Sequence, residues 1–177
     1  MKILILNGHP NLESFTSKIA NELKIKKNAK LINLSELNFN PIFEGFSDQS
    51  ELEEDLKIVQ NEIRDADHII ITSPIWWSTY PALLKGFFDR VLLPNFAFRY
   101  KKDSPFQEKL LQGKTAELYL LSDAPAWYRK YILRDPAAIS LKRDILGFCG
   151  IKVTKIHRIG NVRYLDSVQR ERVIARI

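Results

Sequence analysis

Cysteine is nearly missing from this chain: Cys149 is the only one among 177 residues. No intrachain disulfide can form, which sets aside the disulfide-stapled secreted folds and makes a reducing cytoplasm the expected setting. Long apolar runs are missing too. None approaches the roughly 20 residues that cross a bilayer, and the run after Lys2 is too short for a secretory signal and reads as a first strand. There is no glycine-rich phosphate fingerprint, internal repeat, low-complexity segment or linker. An acidic excess is absent as well, since 27 Lys and Arg against 21 Asp and Glu leave a net charge of +6. That charge suits an anionic ligand, but the basic residues are scattered. Their densest stretches, 24–30 and 163–176, read as solvated helix ends, with Arg163 and Arg170 in water, so no nucleic acid is expected. Neither His68 nor His157 has the spacing partners of a metal site.

What is present fits one globular domain with a sizeable core: apolar residues are 45% and charged residues 27% of the chain. Short apolar runs at 2–6, 29–34, 68–72, 115–121 and 152–158 read as strands. Between them, apolar positions recur at helical spacing. Ser14 caps a helix carrying Phe15, Ile19, Ala20 and Leu23, and Ser50 is expected to cap one carrying Leu52, Leu56, Val59 and Ile63. Further helices are expected from Pro81 to about residue 92, over 137–148, and from 166 to the C-terminus. Residues 38–49 read as a long loop and 95–113 as irregular. Five β-α units demand a parallel sheet with right-handed crossovers. The expected fold is α/β, a flavodoxin-like three-layer sandwich with strand order 2-1-3-4-5 and helices on both faces.

In such a sheet the loops after strands one, three and four meet at the carboxyl edge, where ligands bind. The first carries His9 and the hydroxyls of Ser14 and Thr16 at a helix start, which attracts phosphate; equally, Ser14 only caps the helix and His9 only finishes a turn. The second holds the adjacent Trp76 and Trp77, which suggest a planar ligand, or else core or interface aromatics. The third supplies Ser122, Asp123, Trp127 and Tyr128; the Tyr128 hydroxyl suits a carbonyl-bearing substrate, while the two rings could simply cover the next helix.

The chain resembles the flavodoxin-like NAD(P)H:quinone oxidoreductases, which include DT-diaphorase, the modulator-of-drug-activity proteins and the accessory subunits of glutathione-gated potassium efflux systems. The resemblance spans nearly the whole sequence. It is carried by Gly8-His9-Pro10 with Ser14-Phe15, by Pro74-Ile75-Trp76-Trp77, and by the run from Pro81 through Lys85-Gly86 to Val91. Phe96-Ala97-Phe98 and Phe148-Cys149-Gly150 add to it. The resemblance implies that His9, Ser14, Phe15 and Thr16 surround a flavin phosphate and ribityl chain. Pro74, Ile75, Trp76, Trp77 and Ser78 would border the isoalloxazine ring, with Ser122 and Asp123 beside it. Where mammalian-type members carry Thr-Thr-Gly-Gly, this chain has Leu121-Ser122-Asp123-Ala124, like a bacterial branch with Asp-x-Pro-x-Trp-Tyr. Tyr128 falls at the position of an active-site tyrosine, whereas the histidine that often follows is absent, with Arg134 nearby.

The implied activity is a two-electron, ping-pong transfer of hydride from NADH or NADPH through FMN, or FAD, to a quinone. FMN is favoured by the short chain. Backbone donors near Trp76 and Trp77 would stabilise the reduced flavin. The rival reading is a flavin- or nucleotide-binding regulator docked on a membrane potassium-efflux transporter. A flavodoxin-type electron carrier suits a chain of +6 less well, since such carriers are acidic. Cys149 reads as a small buried apolar residue. A homodimer is expected because Phe96, Phe98, Tyr100, Trp127, Tyr128 and Tyr131 would form an exposed patch too large for a monomer.

Overall fold

The computed structural model describes residues 1–45, 51–101 and 106–177. Alternation decides its layers. In β1 (Ile3–Asn7), β3 (His68–Pro74) and β6 (Thr115–Leu121), successive side chains point to opposite faces. Leu4, Leu6, Ile69, Ile71, Leu118 and Leu120 enter one core, whereas Ile5, Ile70, Tyr119 and Leu121 enter the other. Every residue of β3 is buried, the pattern of a parallel strand covered on both sides.

With β2 (Lys30–Asn33) and β7 (Lys152–Ile159), these strands form one parallel sheet of order β2-β1-β3-β6-β7. In order of appearance that is 2-1-3-4-5, as expected from the sequence. Helix α1 (Phe15–Lys27) buries Phe15, Ile19, Ala20 and Leu23 on one face, joined by the carboxyl-terminal α6 (Ser167–Ala175). The other face is covered by α2 (Glu54–Asp65), α3 (Ala82–Val91) and a third helical region. That region begins as α4 (Pro136–Ile139), widens into a π-helical stretch (Ser140–Leu146) and ends as α5 (Gly147–Cys149). In α3, Gly86 lies against the backbone of Pro41, where a Cβ would come 2.4 Å from the carbonyl oxygen. The glycine lets the segment after β2 cross the helix.

Three expectations need correction and one falls outside view. The stretch 95–113 is not wholly irregular: β4 (Phe98–Tyr100) and β5 (Gln107–Lys109) pair antiparallel. This hairpin folds Phe96 and Phe98 into the core, 8% and 4% exposed, so they do not join a surface patch. Of the six rings invoked for a dimer, only Tyr100, Trp127, Tyr128 and Tyr131 are exposed. Arg170 is likewise not simply in water, since its guanidinium lies 5.2 Å from the centre of the Phe15 ring and donates to the Leu165 carbonyl. Arg163 donates its backbone N–H to Asp123. Ser50 lies outside the described residues; α2 itself begins at Glu54, without a side-chain cap from Glu53.

Candidate active site

At the carboxyl edge of β1, β3 and β6 lies a cavity of about 340 Å³. Its first wall starts from Asn7, the last residue of β1, whose amide is fully buried. Asn7 Nδ2 donates to Ser17 Oγ at 2.9 Å and to Asn33 Oδ1 at 3.0 Å, while its Oδ1 accepts from Thr72 Oγ1 at 3.1 Å and from the His9 N–H at 3.3 Å. One side chain thus ties β1 to β2, β3 and the start of α1. Ser14 is the N-cap, its Oγ accepting from the Ser17 N–H at 3.1 Å. The first-turn N–H groups of Phe15 and Thr16, and the Thr16 hydroxyl, have no partner among the described residues. They open at the positive end of a 13-residue helix, a site built for an anion.

His9 completes this wall. Its Nδ1 accepts from the Asn11 N–H at 2.9 Å, so the neutral ring carries its proton on Nε2. Burial holds its pKa below the ordinary histidine value, and its ring meets Trp76 edge-on at 5.5 Å.

The second wall is the turn after β3. Trp76 and Thr79 exchange backbone hydrogen bonds at 2.8 and 2.9 Å around Trp77 (φ 50°) and Ser78 (φ 62°). Two consecutive non-glycine residues in the left-handed region are uncommon, costing roughly 1–2 kcal/mol each. The N–H groups of both find no partner among the described residues. Pro74, Ile75, Trp76 and Ser78 line the cavity; the Trp77 side chain is not in its wall and is 100% exposed. Trp77 is therefore not a core residue.

The third wall follows β6. Ser122 Oγ donates to the Ala124 carbonyl at 2.9 Å, and Asp123 Oδ1 accepts from the Arg163 N–H at 2.9 Å. Ala124, Leu133 and Val162 border the cavity, as does Arg129. Arg129 is 4% exposed and its Nη2 donates to Asp135 Oδ1 at 2.8 Å. Arg129 was not singled out from sequence. Its burial comes from a π-helical turn (Tyr128–Ile132) that no local pattern announces. Tyr128 itself is 37% exposed, packs edge-on against Trp127, and is not in the cavity wall.

The structure thus brings His9, Ser14, Phe15, Thr16, Pro74, Ile75, Trp76, Ser78, Ser122 and Asp123 to one cleft and leaves Trp77 and Tyr128 outside its wall. Away from it, His157 Nε2 lies 2.9 Å from Glu117 Oε2, and no group of His, Cys, Asp or Glu among the described residues could hold a metal ion. No helix among them is long and apolar enough to cross a membrane.

Comparison with known proteins agrees with this fold. The profile of the flavodoxin-like fold family matches residues 1–176. A Haemophilus influenzae protein called an uncharacterized NAD(P)H oxidoreductase is 29% identical over 185 residues, covering 98% of this chain and 91% of that protein. The FMN-dependent NADH:quinone oxidoreductase 1 of Idiomarina loihiensis is 30% identical over 182 residues, covering 97% and 94%. The crystal structure of Smu.1420 from Streptococcus mutans superposes with a TM-score of 0.84 at 29% identity, over 99% of this chain and 96% of that one.

Proposed function

The chain belongs to the flavodoxin-like fold family, and on that premise we propose that it is a cytoplasmic, FMN-dependent NAD(P)H:quinone oxidoreductase. One observation carries the reading: a cleft that joins an anion-attracting helix start to a strained, donor-rich turn at the sheet's carboxyl edge. The names of two full-length relatives, an NAD(P)H oxidoreductase and an FMN-dependent quinone oxidoreductase, support it. The donor set suits FMN. The free N–H groups of Phe15 and Thr16 and the Thr16 hydroxyl match a phosphate. Ser14 Oγ is already engaged as the cap. The unpartnered N–H groups of Trp77 and Ser78 match the polar edge of a flat heterocycle, and Ile75 and Trp76 offer apolar surface that keeps water off it.

FMN, when bound, supplies the hydride-carrying chemistry. The protein's part is to bind and orient. His9, in the cavity wall, keeps its proton on Nε2 and could offer it to a ligand as a neutral donor. The N–H groups of Trp77 and Ser78 are held in place before any charge develops, so they stabilise it without reorganising. Donor and acceptor would use the same open face of the cleft in turn, which gives ping-pong kinetics. Tyr128, adjacent in sequence to the cavity-lining Arg129, would donate its hydroxyl hydrogen bond to the acceptor. Two copies would pair through the exposed Tyr100, Trp127, Tyr128 and Tyr131.

Purified protein titrated with FMN and with FAD, then assayed for quinone-dependent NADH and NADPH oxidation, tests the reading. Flavin fluorescence quenching and parallel lines in double-reciprocal plots are expected. Protein that stays colourless with both flavins overturns it. Sedimentation checks the assembly, with a stable 20.6 kDa species contradicting the dimer.

A further inference from the structure

We propose that Arg129 is the fixed positive charge that offsets the negative charge FMN carries once it has been reduced; this rests on reading the cleft as a flavin site. Arg129 is among the most buried charged residues described, yet only its Nη2 has a hydrogen-bond partner, Asp135. Nε and Nη1 have none among the described residues. No buried side-chain nitrogen or oxygen there lacks a partner, so these two nitrogens are not sealed in packed core. Arg129 itself lines the cavity, the concave space beside these nitrogens where an acceptor could sit. Donors left over on a buried guanidinium call for an acceptor from a ligand.

The charge is also held in place and left uncompensated. Asp135 Oδ2 accepts from Arg158 Nε at 2.5 Å, so one carboxylate is shared by two guanidinium groups. The Asp135 N–H donates to the Arg129 carbonyl at 2.9 Å, closing a loop over residues 129–135 with Asp135 in the left-handed region (φ 46°). Two cations against one anion leave one positive charge at the wall, where low dielectric strengthens its field. Asp123, the carboxylate among the lining residues, is paired with Arg163.

The sheet order separates this charge from the phosphate site. Arg129 comes from the chain after β6 and the free N–H groups from the chain after β1, with β3 between them. At about 4.8 Å per strand, the two lie on the order of 10 Å apart. NAD(P)H leaves as NAD(P)⁺ after giving hydride, two electrons and one proton. A flavin held here would carry one added negative charge between accepting that hydride and passing it to the quinone, which would take a second proton from water. The phosphate's charge does not change in the cycle; the ring's does. A cation placed away from the phosphate end acts on the charge that changes.

The test compares Kd for oxidised FMN and, anaerobically, for reduced FMN in the native protein, Arg129→Gln and Arg129→Lys. In Arg129→Gln, Kd for reduced FMN should rise at least tenfold more than Kd for oxidised FMN. By linkage, the two-electron midpoint potential then falls by about 30 mV per tenfold. Arg129→Lys should keep most of the ratio. Equal weakening of both forms, as expected of a phosphate contact, overturns the proposal, as does no change in either. If Arg129→Gln does not fold, Arg158→Gln also removes one charge from the triad without touching the cavity wall. A lowered potential supports the proposal and an unchanged one overturns it. Native protein that binds no flavin overturns the functional reading itself, whereas native binding with an unchanged ratio overturns only the role of Arg129.

Discussion

Gly160 passes so close to Ala126 that a Cβ on the glycine would stand 2.5 Å from the Ala126 amide nitrogen. The Ala124 carbonyl oxygen and the Pro125 carbonyl carbon would be 2.8 and 3.0 Å away. All three are backbone atoms and cannot rotate aside. The chain after β7 therefore rests on the third wall of the cleft, and hydrogen bonds between Ser122 and both Ile159 and Val162 fasten it there. Gly160→Ala is expected to displace residues 124–126, lowering stability by about 1–3 kcal/mol and weakening FMN binding. Thermal unfolding and an FMN titration check this; a variant with native values in both would show that the contact does not shape the cleft.

Asn7 concentrates four hydrogen bonds in one buried amide. Replacing it by alanine strands the Thr72 hydroxyl, the Asn33 Oδ1 and the His9 N–H together, while Ser17 Oγ keeps the Asn11 carbonyl and Ser14. The expected loss is about 1–3 kcal/mol, with the start of α1 loosened, so hydrogen exchange at Phe15 and Thr16 should speed up. Exchange unchanged there would confine the role of Asn7 to global stability.

Trp77 and Ser78 separate strain from contact. Since the Trp77 side chain is wholly exposed, Trp77→Ala should leave the melting point of the flavin-free protein nearly unchanged, within about 0.5 kcal/mol. Flavin affinity should fall if the indole closes over a bound ring. Ser78→Gly relieves a left-handed serine at some entropic cost, so a gain of about 0.5–1 kcal/mol is expected. Destabilisation by Ser78→Gly would mean the turn is not strained.

Stability should fall at both ends of the pH range. Burial lowers the pKa of His9, His68 and His157 below 6.5, so the unfolded chain takes up protons first as pH drops and stability is lost through that region. Burial raises Cys149 from 9.0 to about 12 and Tyr119 from 10.0 to about 12, so the unfolded chain releases protons first and stability is lost as pH rises above about 9. Cys149→Ala should move the onset of the alkaline loss toward 10, read from urea midpoints against pH. An onset that stays at 9 would assign the loss elsewhere.

The sequence by itself determined the architecture, because burial of a sheet on two faces leaves a local signature. Alternating positions such as Leu4, Ile5 and Leu6 must all be apolar, and helices with apolar residues at Phe15, Ile19 and Leu23 must lie between strands. The cleft's first two walls were legible for the same reason: His9, Thr16, Trp76 and Ser78 sit next to strand ends whose location the pattern fixes. Tertiary structure alone decided the remainder. Phe96 and Phe98 turn inward because a hairpin pairs Phe98 with Lys109, eleven residues away, and nothing within 95–100 encodes that pairing. Arg129 becomes a buried cation only because a π-helical turn carries it to Asp135, whose carboxylate Arg158 of β7 also holds. Periodicity reports which face a residue takes within its own element, whereas charge compensation and loop-on-loop packing depend on residues brought together from distant parts of the chain.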